Sequence, residues 1–439
     1  MEKFRFYLLL PMLCLFVVQI QAQKNVDFIK KNASEISIDF NNENFDDLHD
    51  LEKKIGNASV VLLGEETHGD GTTMQAKGRI IKYLHEKMGF NILAFESSLY
   101  NAERAWDVAH WDKNPENCIQ NSTFELWGHT QQFLPLAKYI ASSIKTNKPL
   151  RVTGFDAQLH GYFLKRDLAM DFMTFLKQYK IPFYNQEQQN TFYKVYNKLV
   201  YGLSKNQSAM ELERSDIQEK LPAFKELLDQ KIQEISALPI DDVTSQWKQF
   251  WISTRLYLPF ILVDKQIEKA APPNSATIRD SLMAENLTWL VNERFAKEKI
   301  IVWAASSHIG RSPDQNKQFS DGVHPTVMGD YIRNKLGSKI YSICFTAYDG
   351  EWAWYNMPIP HRINLPSKDS FEEIFKRARF NNAFMDFKHN RLSSGGQWLV
   401  EKRNMRPYGY KEFSRSWPSI FDAVIFNKTM VRAVSMQAK

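Results

Sequence analysis

The chain has 439 residues, of which 44% are apolar and 24% charged, with 56 Lys and Arg against 50 Asp and Glu. This composition is typical of globular domains and excludes a disordered chain, a collagen-like repeat and a small disulfide-stapled scaffold. The net charge of +6 is small for this length and is not gathered into blocks. We therefore expect no nucleic-acid partner.

The first 22 residues predict an export signal. A short stretch with two basic residues, Glu2–Arg5, precedes an apolar run from Phe6 to Ile20, and Ala22 places a small residue at the cleavage point. The run contains Pro11 and falls short of the roughly 20 residues that a membrane-spanning helix needs. We expect a periplasmic or secreted protein with no stable membrane anchor after cleavage; the alternative is an uncleaved anchor.

Only two cysteines, Cys118 and Cys344, follow that segment. Two cysteines in an exported protein can pair if they lie close enough, which the sequence leaves open. They are too few for a structural zinc site, and we interpret both as structural residues.

Short apolar runs alternate with segments of helical periodicity along most of the chain. Buried runs separated by helices are typical of a parallel sheet with helical crossovers, so we expect an α/β fold with a mainly parallel sheet flanked by helices. We expect the last run to close the sheet. The predicted strands are Ser59–Leu63, Asn91–Phe95, Leu150–Phe155, Lys299–Ala304, Ser338–Phe345 and Phe421–Phe426. The predicted helices include Thr72–Met88, Leu99–Trp111, Gln131–Ser143 and Pro325–Leu336.

The middle of the chain has a different pattern. From Leu164 to about Ala296 long amphipathic stretches such as Met210–Leu228 dominate, with few apolar runs of strand length. We therefore expect one α/β domain over residues 23–439 with a helical insertion at about 160–298. Our hypothesis is that this insertion forms a cap.

Acidic and imidazole side chains follow four of the predicted strands. Glu65, Glu66 and His68 follow the first strand, and the next three are followed by Glu96, Asp156 and His308. Ligands of open α/β sheets bind beyond the carboxyl ends of the strands. The sequence therefore predicts a functional site in which these side chains lie at one edge of the sheet.

These residue types suit ester hydrolysis by activated water. Histidine titrates near neutral pH, so His68 can take a proton from water and return it to a leaving group. A carboxylate on the other ring nitrogen would fix its tautomer, and Glu65, Glu66 and Glu96 are all candidates. His308 could stabilise an oxyanion or protonate the leaving oxygen. The sequence contains no Gly-x-Ser-x-Gly motif, which would indicate a serine nucleophile.

Simpler interpretations stay open for each residue. His68 could cap the helix that follows it, Asp156 could be a helix N-cap, Glu96 a structural carboxylate and His308 a surface residue. A metal site is a further alternative, because Glu-x-x-His occurs in di-iron proteins. In those proteins the motif is paired and lies on helices, whereas here it occurs once and in a predicted loop.

The motifs taken together resemble a known family. Gly64–Gly69 (GEETHG), a helix and then Phe90–Glu96 (FNILAFE) are similar to the signature of the erythromycin esterase family. The resemblance covers roughly residues 59–426. The likeness continues at Leu126–Trp127, Gly154–Asp156, Arg279–Asn286, and Val302–Ala304 with His308.

The resemblance implies hydrolysis of a macrolide lactone ester, which inactivates the antibiotic, without a required metal or other cofactor. It implies that His68 is the general base, that Glu65 and Glu96 support it and that His308 is a second catalytic histidine. We assign substrate binding to Lys77, Glu66, Asp156 and Arg279. The chain departs from the family pattern at Ala305 and Ser306, where histidine and asparagine are usual, and at Lys77, where arginine is usual.

We therefore expect an esterase-like hydrolase that acts on a macrolide or another small-molecule ester. One rival hypothesis is a binding protein that has lost catalysis and holds a small amphipathic ligand under the helical cap. A second rival is a metal-dependent hydrolase.

Overall fold

The computed structural model describes residues 23–202, 207–261, 275–311 and 327–436. The predicted export signal, residues 1–22, lies outside this part of the chain. Within it, no helix combines the length and the apolar character needed to cross a membrane. The described residues form a mostly parallel sheet covered by helices, which confirms the predicted α/β fold.

The strands form one nine-stranded sheet and a separate hairpin. Their bounds are β1 Ser34–Glu35, β2 Val60–Glu65, β3 Phe90–Ser98, β4 Arg151–Asp156, β5 Lys299–Ala305, β6 Ile340–Trp352, β7 His361–Arg362, β8 Asn382–Asp386, β9 Arg403–Tyr408, β10 Lys411–Arg415 and β11 Ala423–Met430. The large sheet has the order β1-β8-β11-β6-β2-β5-β3-β4, with β7 beside β6, and β9 pairs with β10.

Helices occupy most of the remaining chain. Their bounds are α1 at residues 23–32, α2 His49–Ile55, α3 Gly71–Met88, α4 Leu99–Ala109, α5 Pro115–Gln120, α6 Glu125–Gly128, α7 Leu134–Ser143, α8 Tyr162–Gln178, α9 Gln186–Tyr201, α10 Gln207–Ser236, α11 Asp242–Ile261, α12 Ser275–Trp289, α13 Ser306–Ile309, α14 Met328–Leu336, α15 Phe371–Arg377 and α16 Phe387–Asn390.

The six predicted strands correspond to β2, β3, β4, β5, β6 and β11, and neighbours among them pair in parallel. The expectation that the last strand closes the sheet is wrong, because β11 lies inside it, between β6 and β8. β8 pairs antiparallel with β11 and β1 pairs with β8. The apolar centre of β8 is only Ala383–Met385, too short a run to mark a strand in the sequence.

Both faces of the sheet are buried. Along β2, Val60 and Leu62 face one apolar cluster, whereas Val61 and Leu63 face the other. Successive side chains of a strand point to opposite faces, so a continuous apolar run requires cover on both sides. The structure thereby explains why the core strands have unbroken apolar sequences.

Between β4 and β5 the described residues fold into five helices, α8 to α12, and contain no strand. Aromatic side chains fill the space between these helices: the Phe172 ring lies 5.2 Å from Trp247 and 4.6 Å from Trp251, measured between ring centroids. The last of the five, α12, packs against β4 and α14 and so reaches the carboxyl edge of the sheet. Cys118 in α5 and Cys344 in β6 are both buried, free thiols.

Arg79 fastens α3 to the segment that precedes α2. Its buried guanidinium donates two hydrogen bonds to Asp47, at 2.7 and 2.8 Å, and further bonds to the carbonyls of Ser37, Asn42 and Asn44. A buried charge that loses its partners is strongly destabilising, so this group of contacts holds the segment to the domain.

We predict that Arg79→Leu lowers the free energy of unfolding by about 3 kcal/mol, because it leaves three carbonyls without their donor and removes two of the hydrogen bonds to Asp47, which keeps the one from Ser37 N. Chemical denaturation followed by circular dichroism measures the change. Lys82→Leu on the same helix is the control: the Glu43 partner of Lys82 is 82% exposed, so we expect a loss below about 1 kcal/mol. Equal losses in both variants would contradict this interpretation.

Candidate active site

The predicted site residues lie at the carboxyl edge of the sheet. Glu65 and Asp156 are the last residues of β2 and β4, and Glu96 lies near the end of β3. His308 lies in α13, directly after β5. Gly64 allows α13 to pack on β2, because a Cβ there would meet Ser306 Cα at 2.8 Å. Ser306 fixes the contact by donating a 2.6 Å hydrogen bond to the Gly64 carbonyl.

A first chain of contacts runs through the Glu65 carboxylate. Its Oε1 lies 3.0 Å from His68 Nδ1, and its Oε2 accepts a hydrogen bond from the Lys77 ammonium. Lys77 also donates to the Ala304 carbonyl at 3.3 Å and lies over the Trp303 ring, 4.6 Å from its centroid. Glu65 is thus fixed from both sides, and the carboxylate on His68 Nδ1, which the sequence left open, is Glu65.

His68 keeps part of its ring open to solvent. Its side chain is 26% exposed, whereas that of Glu65 is 3% exposed. The Trp127 ring packs edge-on against it, with centroids 4.9 Å apart. Since Nδ1 faces Glu65, the exposed reactive atom of the imidazole is Nε2.

The environment of His68 favours its protonated form. Burial lowers the pKa of His68, but the hydrogen bond with Glu65 and the charges of Glu96 and Glu65 outweigh burial, so that the pKa is raised above its ordinary value. The positive charge of His308 opposes this rise. A higher pKa makes His68 a stronger base once it is neutral.

A second chain of contacts is centred on Glu96. Its Oε1 lies 3.2 Å from His308 Nε2 and accepts a 2.8 Å hydrogen bond from Arg279 Nη2, and its Oε2 accepts one from the backbone N–H of Ala305 at 3.0 Å. His308 Nδ1 lies 2.6 Å from Asp280 Oδ1. Both ring nitrogens of His308 therefore face carboxylates.

These contacts fix the charge states of the second chain. Burial disfavours the charge on His308, but Glu96 and Asp280 outweigh it and raise the pKa of His308 to about 10. Burial likewise disfavours the charge on Glu96, yet His308, Arg279 and His68 hold its pKa well below the ordinary value. At neutral pH the site therefore contains an imidazolium next to a carboxylate.

Arg279 joins the ends of β3 and β4. Its Nε and Nη2 donate to Asp156, the shortest bond being 2.6 Å, and Nη2 also donates to Glu96. Its Nη1 makes no hydrogen bond with the described residues, and 17% of the side chain is exposed. One edge of the guanidinium is thus held by carboxylates while another N–H group remains available to a ligand.

The structure sorts the predicted residues into two adjoining groups. Glu65, His68 and Lys77 form the first, and Glu96, Asp156, Arg279 and His308 form the second. The groups meet at the end of β5, where Ala304 contacts Lys77 and Ala305 contacts Glu96.

Two residues that we assigned to substrate binding lie out of reach. Lys77 has no exposed surface and sits behind Glu65. Glu66 is buried, and its Oε2 accepts a hydrogen bond from Thr73 at 3.2 Å. Burial, followed by the charge of Asp70, raises the pKa of Glu66 well above its ordinary value.

The sequence assigned no role to three residues that shape the site: Asp280, Trp127 and His160. Asp280 follows Arg279 on α12 and holds His308. Trp127 packs on His68. His160 stacks on Phe124 with ring centroids 4.1 Å apart, and Phe124 in turn lies beside the His68 ring. Asp280 and Trp127 stand in stretches that resemble the family, but no local pattern indicates their contacts, which join elements far apart in the chain.

The arrangement is equipped for acid–base chemistry. It offers an open imidazole backed by a carboxylate, a guanidinium with an available N–H group, and a fixed imidazolium. No group of three or more His, Cys, Asp or Glu side chains among the residues that the structure describes is arranged to hold a metal ion.

Known proteins with similar sequences are hydrolases and esterases by name. The family model described as erythromycin esterase matches residues 85–430. YbfO of Bacillus subtilis, named as a hydrolase, is 26% identical over 416 residues, which cover 89% of this chain and 87% of YbfO. Erythromycin esterase type II of Escherichia coli is 19% identical over 383 residues, covering 83% and 88% of the two chains.

Solved structures share the fold. A succinoglycan biosynthesis protein matches with a TM-score of 0.73 at 18% identity, over 94% of this chain and 98% of its own. An erythromycin esterase mutant in its open conformation matches with a TM-score of 0.66 at 15% identity, over 91% and 98% of the two chains. Because the family match spans most of its length, the chain belongs to the erythromycin esterase family and is a hydrolase of the esterase type.

Proposed function

We propose that this protein hydrolyses the lactone ester of a macrolide of the erythromycin type and thereby inactivates the antibiotic. The observation that carries the proposal is the open His68 imidazole, which is backed by Glu65 and lies beside the Glu96–Arg279 group. The name of the Escherichia coli relative supports the choice of substrate class. An ester of another class is the alternative substrate.

The reaction begins with proton transfer from water to His68. Nε2 takes the proton while the water oxygen attacks the ester carbonyl carbon, and Glu65 on Nδ1 stabilises the imidazolium that forms. The tetrahedral intermediate then collapses, the bond between carbonyl carbon and alkoxy oxygen breaks, and His68 returns the proton to the leaving oxygen. The products are a carboxylic acid and an alcohol, joined in one chain when the substrate is a lactone.

Arg279 is suited to the negative charge that develops on the carbonyl oxygen. A donor that is already held in place needs no reorganisation during the reaction, and Asp156 and Glu96 hold the guanidinium. His308 assists through its positive charge, since both of its ring nitrogens already face carboxylates. Lys77 acts through Glu65, whose carboxylate it holds in place with a hydrogen bond.

We also propose that the protein works outside the cytoplasm, in the periplasm or as a secreted protein. The basic and apolar pattern of its first 22 residues supports this proposal.

We predict that the chain from Gln23 onward adds one water to erythromycin and that His68→Ala lowers the rate by about 10²- to 10⁴-fold, because the general base is lost. Mass spectrometry of the antibiotic measures the product. His361→Ala, which alters an exposed histidine on β7, is the control and should retain the wild-type rate.

Two outcomes would count against parts of this proposal. Wild-type turnover by His68→Ala would refute the mechanism. Unchanged erythromycin, together with His68-dependent hydrolysis of simpler esters in a panel, would replace the macrolide by another ester class and leave the mechanism standing.

We predict a bell-shaped pH profile of kcat/KM. As the pH falls through the raised pKa of His68, the base becomes protonated and activity is lost, so the acid limb lies above the ordinary histidine value of about 6.5. As the pH rises through about 10, His308 loses its proton and its charge, which produces the alkaline limb. Glu65→Gln removes the carboxylate of Glu65, which raises the pKa of His68, and leaves the charge of Glu96, so the acid limb should move to lower pH. An unmoved limb would show that His68 is not the titrating base.

We predict that Arg279→Lys lowers kcat by about 10²-fold, because a lysine keeps the charge but cannot hold two carboxylates and still donate to the oxyanion. Steady-state kinetics and thermal unfolding are measured together. Arg104→Lys is the control, since Arg104 pairs with Asp167 and Asp171 away from the site. A kcat equal to that of the control would exclude Arg279 from oxyanion binding.

A further inference from the structure

The loop that carries His68 is held by parts of the chain that are remote in sequence. We define the His68 loop as residues 66–70. Its Glu66 carbonyl accepts a 3.0 Å hydrogen bond from Gly409 N, in the turn between β9 and β10. Its Gly69 carbonyl accepts bonds from Ala433 N at 2.8 Å and from Ala353 N at 3.4 Å. The backbone of the His68 loop is therefore hydrogen-bonded to three segments of the chain besides the strand and the helix that it connects.

Gly69 shows how close this packing is. A Cβ at Gly69 would lie 2.5 Å from the backbone carbon of Ala353 and 2.9 Å from Trp354 N, so only glycine fits between the loop and this segment. Backbone atoms cannot move aside as the end of a flexible side chain can. The loop therefore has little freedom on this side.

The Asp70 side chain accepts hydrogen bonds that stabilise the loop. Its Oδ2 accepts a hydrogen bond from Thr67 N at 2.6 Å, and its Oδ1 accepts bonds from Thr67 Oγ1 at 2.9 Å and from the Tyr410 hydroxyl at 2.8 Å. Asp70 is completely buried. The two bonds from Thr67 bridge across His68 to Asp70, and the third ties the loop to the β9–β10 turn.

The backbone of Tyr410 provides an independent observation. Gly409 and Tyr410 both have φ of +60°, which is the geometry of a tight hairpin turn that favours Asn-Gly, Asp-Gly or Gly-Gly. A bulky aromatic residue in the left-handed region is an outlier. Such strain persists where the surrounding structure imposes it and is concentrated at functional sites. Here the strained residue is the one whose hydroxyl reaches Asp70.

We propose that Tyr410 and Asp70 are positioning residues, which hold the His68 loop so that the imidazole faces Glu65 in the geometry needed to activate water. This inference rests on the proposed function of His68 as the general base. In this role both residues act through Thr67 and the backbone of the loop.

The charge of Asp70 is part of this arrangement. Burial raises the pKa of Asp70 to about 6, and the hydrogen bonds from Thr67 and Tyr410 oppose the rise. Loss of the Tyr410 hydroxyl therefore raises the pKa of Asp70 further. The Asp70 carboxylate then becomes protonated, and a weaker acceptor for Thr67, at a higher pH than in the wild type. The titratable groups around Asp70 and its partners are Glu66 in the loop, Lys77 on α3, Cys344 on β6, and Arg406 and Tyr410 on the hairpin.

Hydrogen–deuterium exchange of the full chain tests the loop without any substrate. We compare wild type with Tyr410→Phe, which keeps the ring and removes the hydroxyl, and with Asp70→Asn. We expect amide exchange in the peptide that contains residues 66–70 to become about tenfold faster in both variants, as one hydrogen bond is lost. The control is Tyr408→Phe on the same hairpin, whose ring packs on Trp417 and Phe421; its loop should exchange as in wild type.

Kinetics on the best ester of the panel test the consequence for catalysis. In Tyr410→Phe we expect kcat to fall about tenfold with KM within about twofold, because substrate contacts are unchanged and only the orientation of His68 is relaxed. The acid limb of the pH profile should move to lower pH, because a less firmly oriented His68 loses part of the Glu65 hydrogen bond that raises its pKa. Simple destabilisation would not cause this shift. Tyr408→Phe should match wild type in all three quantities.

The outcomes separate this inference from the proposed function. Faster exchange confined to the loop, with a lower kcat and an unchanged KM, supports it. Wild-type exchange in the loop of Tyr410→Phe overturns it, as does faster exchange without any change in kcat or in the pH profile. If the wild-type protein hydrolyses no ester, the proposed function fails and the positioning role fails with it, whereas failure of the positioning role alone leaves an active, His68-dependent wild type.

Discussion

The shared carboxylate of Glu65 is the contact on which the rest of the site depends. One of its oxygens faces His68 and the other accepts from a lysine that has no exposed surface. Lys77, enclosed by Trp303 and the end of β5, therefore holds in place the carboxylate that faces His68.

Carboxylates also surround the second histidine, His308, and raise its pKa further than that of His68, to about 10. Glu96 and Asp280 face the two nitrogens of His308 and keep it charged, whereas His68 has one carboxylate and one open nitrogen. The two imidazoles thus differ in function because they differ in the number of carboxylates around them. Burial opposes the charge on both histidines, but it also strengthens the attraction of their carboxylates, since charges interact more strongly when water is excluded.

The sequence was sufficient to predict the edge of the sheet at which the site lies, because strand runs and the polar residues that follow them are local features. Glu65, Glu96, Asp156 and His308 were found in this way. Local patterns could not predict β8, whose apolar run is short. They also could not predict the contacts of Asp280, or that of Tyr410 with Asp70, because these join elements that are distant in the chain. The burial of Lys77 behind Glu65 likewise depends on packing and not on spacing.

The departures from the family pattern are compatible with this geometry. At position 305 the contact with Glu96 is made by the backbone N–H, so the absence of a histidine side chain does not remove it. The Ser306 hydroxyl binds the Gly64 carbonyl, and Gly64 has no room for a Cβ beside α13. At position 77 the ammonium fits a closed space between a carboxylate, a carbonyl and an indole ring, where a point charge with rotatable donors can satisfy both oxygen acceptors. The substituted positions thus still support Glu65 and Glu96, and any change in substrate preference would arise from the surfaces that face the ligand.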